Sequence, residues 1–238
     1  MSPTFTQDII GGSDLPKPGQ AGSRPYLASV GTGDVTAVGQ RAGHNCGASL
    51  VAPNVALTAA HCFSCMPTID NPNCNGCAGG CGAFKPKDWI DFKRYDLTSG
   101  LNGVDRRMLS QTEDQYNQGV NYVQRHPGFN PNQSPTFNFD FAIICLTDPV
   151  DGITPVQLNN NNLIPVNGVE LDVFGWGNTQ KDPVVQTNIP QMADVTYISN
   201  DVASNPPYNK GSLVTASTMF TIDPTQSICQ GDSGMFER

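Results

Sequence analysis

Long apolar runs are missing from this chain, and so are blocks of basic residues. No stretch approaches the roughly 20 consecutive apolar residues that a membrane-spanning helix requires. Thirteen Lys and Arg stand against twenty-one Asp and Glu, leaving a net charge of −8 and a pI near 4.6. That balance supplies no positive field for nucleic acid or an anionic membrane surface, so neither is an expected partner. Internal repeats and low-complexity tracts are absent apart from four asparagines at 159–162. Met1 to Asp8 is polar and lacks the apolar segment of a signal peptide, so any secretory signal is expected to be absent from this sequence.

What the chain does have is glycine and proline, 24 and 19 residues respectively. They point to many turns and short strands rather than long helices. A length of 238 residues suffices for one large all-β domain or two small barrels with a real core. Eight cysteines, four of them between Cys65 and Cys81, are unusual for a reducing cytosol and favour an extracellular setting.

The stretch with the clearest chemistry is Ile228-Cys229-Gln230-Gly231-Asp232-Ser233-Gly234. Glycines on both sides of Ser233 let the backbone turn sharply and leave the hydroxyl and nearby amide N–H groups accessible. An accessible Oγ beside amide donors suits a nucleophile, although the same residues also make ordinary turns. A base and an orienting acid upstream decide between the two.

His61 follows a predicted β-hairpin: Cys46 to Val51 as one strand, Ala52-Pro53-Asn54 as the turn, and Val55 to Thr58 as the return. The hairpin brings Cys46 and Cys62 to the same open end, where a disulfide would hold His61. Asp140 opens the continuous apolar run Phe141 to Leu146. A carboxylate at such a point is expected to be partly buried and to need a hydrogen-bond donor, for which an imidazole N–H serves. Further strands are expected over Trp89–Leu97, Gly119–Gln124, Leu171–Gly177 and Met192–Ser199, with Ser199 capping a short helix. His126 carries no strong functional signal and reads by default as a loop histidine. Asn132-Gln133-Ser134 is a formal glycosylation sequon weakened by Pro135.

Cys65, Cys74, Cys77 and Cys81 lie in a Gly/Asn/Pro-rich insertion spanning 63–86. The spacing C-x₈-C-x₂-C-x₃-C lacks the paired knuckles of a zinc ribbon, so two local disulfides are favoured over a metal site. No metal and no cofactor are expected. At the other end, Ile9-Ile10-Gly11-Gly12 reads either as a strand and turn or as a new N-terminus. Cleavage after Asp8 would free an Ile9 ammonium that must be paired when buried, with Asp232 as its partner.

Taken in order, Ile9-Ile10-Gly11-Gly12, Thr58-Ala59-Ala60-His61-Cys62, Asp140-Phe141-Ala142-Ile143, Gly175-Trp176-Gly177 and Gly231-Asp232-Ser233-Gly234 resemble the trypsin/chymotrypsin-like serine endopeptidases. The order His, Asp, Ser is that family's and differs from subtilisins and α/β-hydrolases. The resemblance implies an all-β fold of two six-stranded antiparallel Greek-key barrels. It assigns 1–8 to a propeptide remnant or leader, 9–150 to the first barrel and 151–238 to the second. It makes His61, Asp140 and Ser233 the catalytic triad, with the N–H groups of Gly231 and Ser233 as the oxyanion hole. Ser227, six residues before the serine, becomes an uncharged pocket floor, implying apolar or aromatic side chains before the scissile bond. The implied protein is a secreted, monomeric endopeptidase acting on protein or peptide substrates and subject to protease inhibitors.

The sequence also departs from the family pattern. Five residues follow Ser233, and Met235-Phe236 stand where the family has Gly-Pro. The second barrel is therefore expected to be incomplete at its C-terminal side, with Cys229 unpaired and Cys145 a buried thiol. Ala203 and Thr221 occupy about the positions of a second-barrel cysteine pair. An unclosed barrel exposes strand edges, so the 238 residues alone are expected to be poorly soluble and weakly active. Two rival readings stay open at this point, a non-catalytic protease-like binding module and a zinc module centred on Cys65–Cys81.

Overall fold

The hairpin anticipated around His61 forms the centre of the first sheet in the computed structural model. The structure describes residues 9, 11–32, 43–63, 88–109, 119–131, 138–181, 184–215, 217–226 and 232–234. The strands are β1 (Ser13–Asp14), β2 (Leu27–Thr32), β3 (Gly43–Ala52), β4 (Val55–Thr58), β5 (Asp88–Phe92), β6 (Asp105–Met108) and β7 (Val120–Arg125). They continue as β8 (Ala142–Leu146), β9 (Glu170–Gly175), β10 (Asn178–Lys181), β11 (Val184–Gln186), β12 (Gln191–Ile198) and β13 (Phe220–Ile222). One short helix, α1 (Asn200–Ser204), is capped by Ser199, whose hydroxyl accepts from the Val202 N–H as expected. No helix among the described residues is long and apolar enough to cross a membrane.

The first sheet runs β6-β5-β2-β3-β4-β8-β7, all antiparallel. Its two edges, β6 and β7, are consecutive along the chain, and a bridge between Met108 and Gly119 joins them. The sheet therefore closes on itself. The described residues give this sheet seven strands, with β6 and β7 together lying between β5 and β8 in the closed order. Alternate residues fill the interior, among them Val30, Ala48, Leu50, Ala56, Ile90, Phe92, Val123 and Ile144.

The second sheet is built on β12, which pairs with β9 along Gln191–Thr196, with β13 at Thr196–Ile198 and with β1 at Gln191–Met192. A separate β10–β11 ribbon stands beside it. Four strands and this ribbon are what the described residues supply toward the expected second barrel. Ser13–Asp14 belongs to this second sheet, so the chain crosses from one half to the other before entering β2.

Two expectations change, one of a strand end and one of a side chain's burial. The run Trp89–Leu97 is extended only to Phe92, because Lys93 takes φ 60°, a left-handed conformation that no strand continues through. Cys145 is half-buried rather than buried. On β8 the core-facing residues are Ala142, Ile144 and Leu146, so Cys145 falls on the outer face.

The seam between the halves comes from β5 being buried on both faces. Ile90 and Phe92 point into the first barrel, while Trp89 packs with Leu15, Leu27, Leu97, Phe174 and Trp176. Polar contacts fix the same seam: Trp176 Nε1–H donates to the Tyr95 carbonyl at 3.0 Å, and the Tyr95 hydroxyl donates to the Leu15 carbonyl at 2.6 Å. Next to Trp89 on that face, Asp91 is fully buried and holds two arginines. Arg106 meets it through Nε and Nη2, each at 2.7 Å, and Arg94 through Nη1 at 2.6 Å. Both guanidinium groups lie over the Trp89 ring, at 4.3 and 5.9 Å from its centroid.

Two stability measurements follow from these contacts. Asp91→Asn removes the charge that compensates two enclosed guanidinium groups and is expected to destabilise the fold by about 3–5 kcal/mol. Urea unfolding checks this, and an unchanged midpoint contradicts it. On the second sheet, Asp194 faces Asp172 across the β12–β9 pair. Desolvation, a hydrogen bond shared with Asp172 and the charges of Asp172, Glu170 and Asp223 raise the Asp194 pKa above its usual value. A raised carboxyl pKa means the folded state holds the proton more tightly than the unfolded chain. Its contribution to stability is then present at low pH and is lost as pH rises through the folded value. Asp194→Asn is therefore expected to raise the melting temperature at neutral pH, with the gain vanishing below about pH 4. A gain that persists unchanged in acid contradicts this assignment.

Candidate active site

β4 ends at Thr58 and the chain tightens into a short 3-10 helix, Ala60–Phe63. Ala60 and Phe63 are buried in the first barrel and Cys62 packs against the same core, while the His61 side chain stays partly exposed. Cys62 is bonded to Cys46 of β3, with Cα atoms 6.4 Å apart and a sequence separation of 16. Closing a loop of that size removes about 3 kcal/mol of unfolded-chain entropy on the loop model. It also fixes the residue next to His61.

Asp140 arrives from the other end of the first half, between Phe139 and β8. Its Oδ2 lies 2.6 Å from His61 Nδ1, and its Oδ1 accepts the His61 backbone N–H at 2.8 Å. A carboxylate offers only acceptors, so Nδ1 carries the ring hydrogen and Nε2 of the neutral ring keeps its lone pair. One carboxylate thus sets both the tautomer and the orientation of the imidazole. The side chains are 36% exposed for His61 and 21% for Asp140, so the imidazole is the more open of the two. The backbone presenting Asp140 is strained. Phe139 has φ 56°, a left-handed conformation costing a bulky residue about 1–2 kcal/mol, and its N–H donates to Ser217 Oγ at 3.3 Å.

Ser233 is held through its backbone. Its carbonyl accepts the Gly47 N–H at 2.8 Å, and the Gly47 carbonyl accepts the Thr58 hydroxyl at 2.7 Å. The next residue, Gly234, has φ 88° and lies where any Cβ would overlap Gly47 O, Thr58 Oγ1 and Ala59 N. The first barrel therefore grips the serine segment directly. One ring nitrogen of His61 lies within 4.8 Å of both disulfide sulfurs, and Cys62 Sγ lies 4.0 Å from the Ser233 carbonyl oxygen. Imidazole, disulfide and serine backbone therefore lie side by side. Among the described residues this trio is the grouping with metal-ligand spacing, but its two cysteines could ligate a metal only as thiolates and both sulfurs are committed to the disulfide.

Asp232 is 4% exposed, and its Oδ1 accepts the Gly177 N–H at 2.7 Å. A Cβ on Gly175 or Gly177 would overlap the carboxylate, so the Gly-Trp-Gly turn after β9 is shaped around it. Ile9 is fully buried among Leu171, Val173, Ala193 and Val195 of the second sheet. Its nitrogen is a peptide amide in this continuous chain, so the Ile9–Asp232 ion pair is not formed in this covalent state. Gly231 and Ser227, read as an oxyanion donor and the pocket floor, lie outside the described residues, as do Cys65, Cys74, Cys77, Cys81, Cys229 and the 132–134 sequon.

Sequence reasoning passed over Gly47 and Thr58, whose contribution is a backbone clamp that no side-chain pattern advertises. It also passed over His126, whose ring lies beside Phe139 and Phe141.

With this geometry in view, the comparisons with known proteins are specific. The family model described as Trypsin matches residues 10–77 and 98–234. Melanization protease 1 of Drosophila melanogaster is 28% identical over 240 residues, covering 97% of this chain and 54% of that protein. Spermosin of Halocynthia roretzi is also 28% identical, covering 95% of this chain and 50% of its own. Granzyme M of Homo sapiens is 25% identical, covering 97% and 73%. The chain spans about half the length of the first two relatives. A family match across both sheets, an antiparallel β architecture and a histidine, aspartate and serine arriving in that order lead to one assignment: the chain belongs to the trypsin family of serine proteases.

Proposed function

We propose that this chain is the catalytic unit of a secreted serine endopeptidase. The observation that carries the reading is the 2.6 Å contact between Asp140 Oδ2 and His61 Nδ1, across 79 residues of sequence. It leaves Nε2 as a base facing a crevice into which the Ser233 segment is clamped by Gly47.

On this reading Ser233 Oγ attacks the scissile carbonyl carbon while its proton passes to His61 Nε2. The carbonyl oxygen becomes an oxyanion stabilised by the N–H groups of Gly231 and Ser233. Collapse of the tetrahedral species breaks the C–N bond, and His61 returns the proton to the leaving amine. Water then repeats the sequence on the acyl-enzyme, giving up its proton to His61 and releasing the acid and the free serine. Asp140 stays ionised throughout and stabilises the imidazolium. Cleavage after Asp8 would convert the Ile9 amide into an ammonium able to pair with Asp232. The uncharged Ser227 favours apolar or aromatic side chains over Lys or Arg before the scissile bond. Substrates are proteins or peptides, and the working form is a monomer outside the cell.

A fluorophosphonate probe with peptide mapping tests this directly. Labelling is expected at Ser233, abolished by Ser233→Ala and His61→Ala. Asp140→Asn is expected to lower kcat by about 10⁴-fold, because it favours the wrong tautomer of His61. Peptides with Phe or Tyr before the cleaved bond should outrun those with Lys or Arg. A protein already cleaved after Asp8 that still takes no label is instead a non-catalytic binding module.

A further inference from the structure

Asp140 sits at the apex of a three-residue turn. The Phe141 N–H donates to the Phe139 carbonyl at 2.8 Å, so the backbone reverses around the carboxylate. Both shoulders of that turn rest on one side chain. The His126 ring stacks on Phe139 with centroids 4.5 Å apart at 15°, and meets Phe141 at 4.6 Å and 52°. These are the offset-stacked and tilted arrangements that aromatic rings prefer. The histidine is itself tied to the same corner. Its N–H donates to the Phe141 carbonyl at 2.9 Å, and its Nδ1 accepts the Gly128 N–H at 3.0 Å. That acceptor role leaves the hydrogen of the neutral ring on Nε2. Gly128 has no room for a side chain, since a Cβ there would lie 2.7 Å from the Phe139 ring.

Ordinary core packing does not explain this cluster. Phe139 and Phe141 are 39% and 41% exposed, so they bury too little area to be there for burial alone. Phe139 is also in the left-handed region, where a bulky residue is out of place unless its surroundings hold it. The contacts that hold it are the ring stack on one side and Ser217 Oγ on its N–H on the other.

We propose that His126 is a positioning residue for Asp140: its ring clamps Phe139 and Phe141, and through them fixes the carboxylate against His61. The inference rests on the reading that Asp140 and His61 serve catalysis, but its principal readout does not. A proton held in a 2.6 Å N–H···O bond to a carboxylate is strongly deshielded, so the His61 Nδ1–H resonance reports the Asp140–His61 geometry whether or not the protein turns over.

The experiment compares the native protein with His126→Ala, His126→Phe and Phe139→Gly, following that resonance, the melting temperature, kcat and KM on a peptide substrate. His126→Ala should move or broaden the resonance and lower kcat by about ten- to a hundredfold at unchanged KM, the size expected for a misplaced catalytic group. His126→Phe, which keeps a ring for both contacts but loses the Gly128 acceptor, should recover most of kcat. Phe139→Gly relieves the left-handed residue, so its melting temperature should not fall while its resonance and kcat do. That split separates positioning from stability. A shifted resonance with native kcat sustains the clamp and refutes the triad reading. A resonance unmoved in both His126→Ala and Phe139→Gly overturns the clamp, whatever kcat does.

Discussion

Asp140 reaches back 79 residues to hold His61 twice, once at the ring and once at the backbone amide. Neither contact is available to a carboxylate in free solution. The ring would rotate and choose either tautomer, and water would compete for both oxygens. Held between the end of the 3-10 helix and the start of β8, the pair becomes a fixed dipole whose second ring nitrogen carries no hydrogen. Much of the surrounding architecture can be understood as what keeps those two ends together. β4 and β8 are neighbours in the sheet, with Thr58 opposite Ala142, so the segments leaving them carry His61 and Asp140 to the same edge. The Cys46–Cys62 bond then closes the hairpin side of that edge.

The second half contributes by being fastened to the first at several independent points. The Trp89 seam supplies apolar area, the Trp176–Tyr95–Leu15 chain supplies direction, and the Ser233–Gly47 contact delivers the serine itself. Fully burying an aromatic of this size is worth about 1.5–3 kcal/mol, so the seam is strong enough to resist casual opening. The serine contact is different in kind. It positions a backbone rather than burying a surface, and it depends on Gly234 having no Cβ where the first barrel passes.

How far the sequence foretold this follows from which interactions are local. The hairpin was legible because Pro53-Asn54 marks a turn between two apolar runs, and the observed β3 and β4 bracket it. The Asp140–His61 pairing was legible because a carboxylate at the head of an apolar strand needs a donor. The end of β5 was not, since nothing in a lysine side chain announces a positive φ at Lys93. The small residues of β2, Leu-Ala-Ser-Val-Gly-Thr, carry too weak an alternation to stand out, although that strand joins β3 to β5. The placement of Ser13–Asp14 in the second sheet and the role of Gly47 are non-local backbone matters, invisible to any window along the chain. His126 read as a loop residue because its partners, Phe139 and Phe141, come more than a dozen positions later.

The most direct measurement of the central claim is the ¹⁵N chemical shift of the two His61 ring nitrogens at neutral pH. The account predicts a hydrogen on Nδ1 and none on Nε2. A native ring carrying its hydrogen on Nε2, with Nδ1 bare, would contradict it.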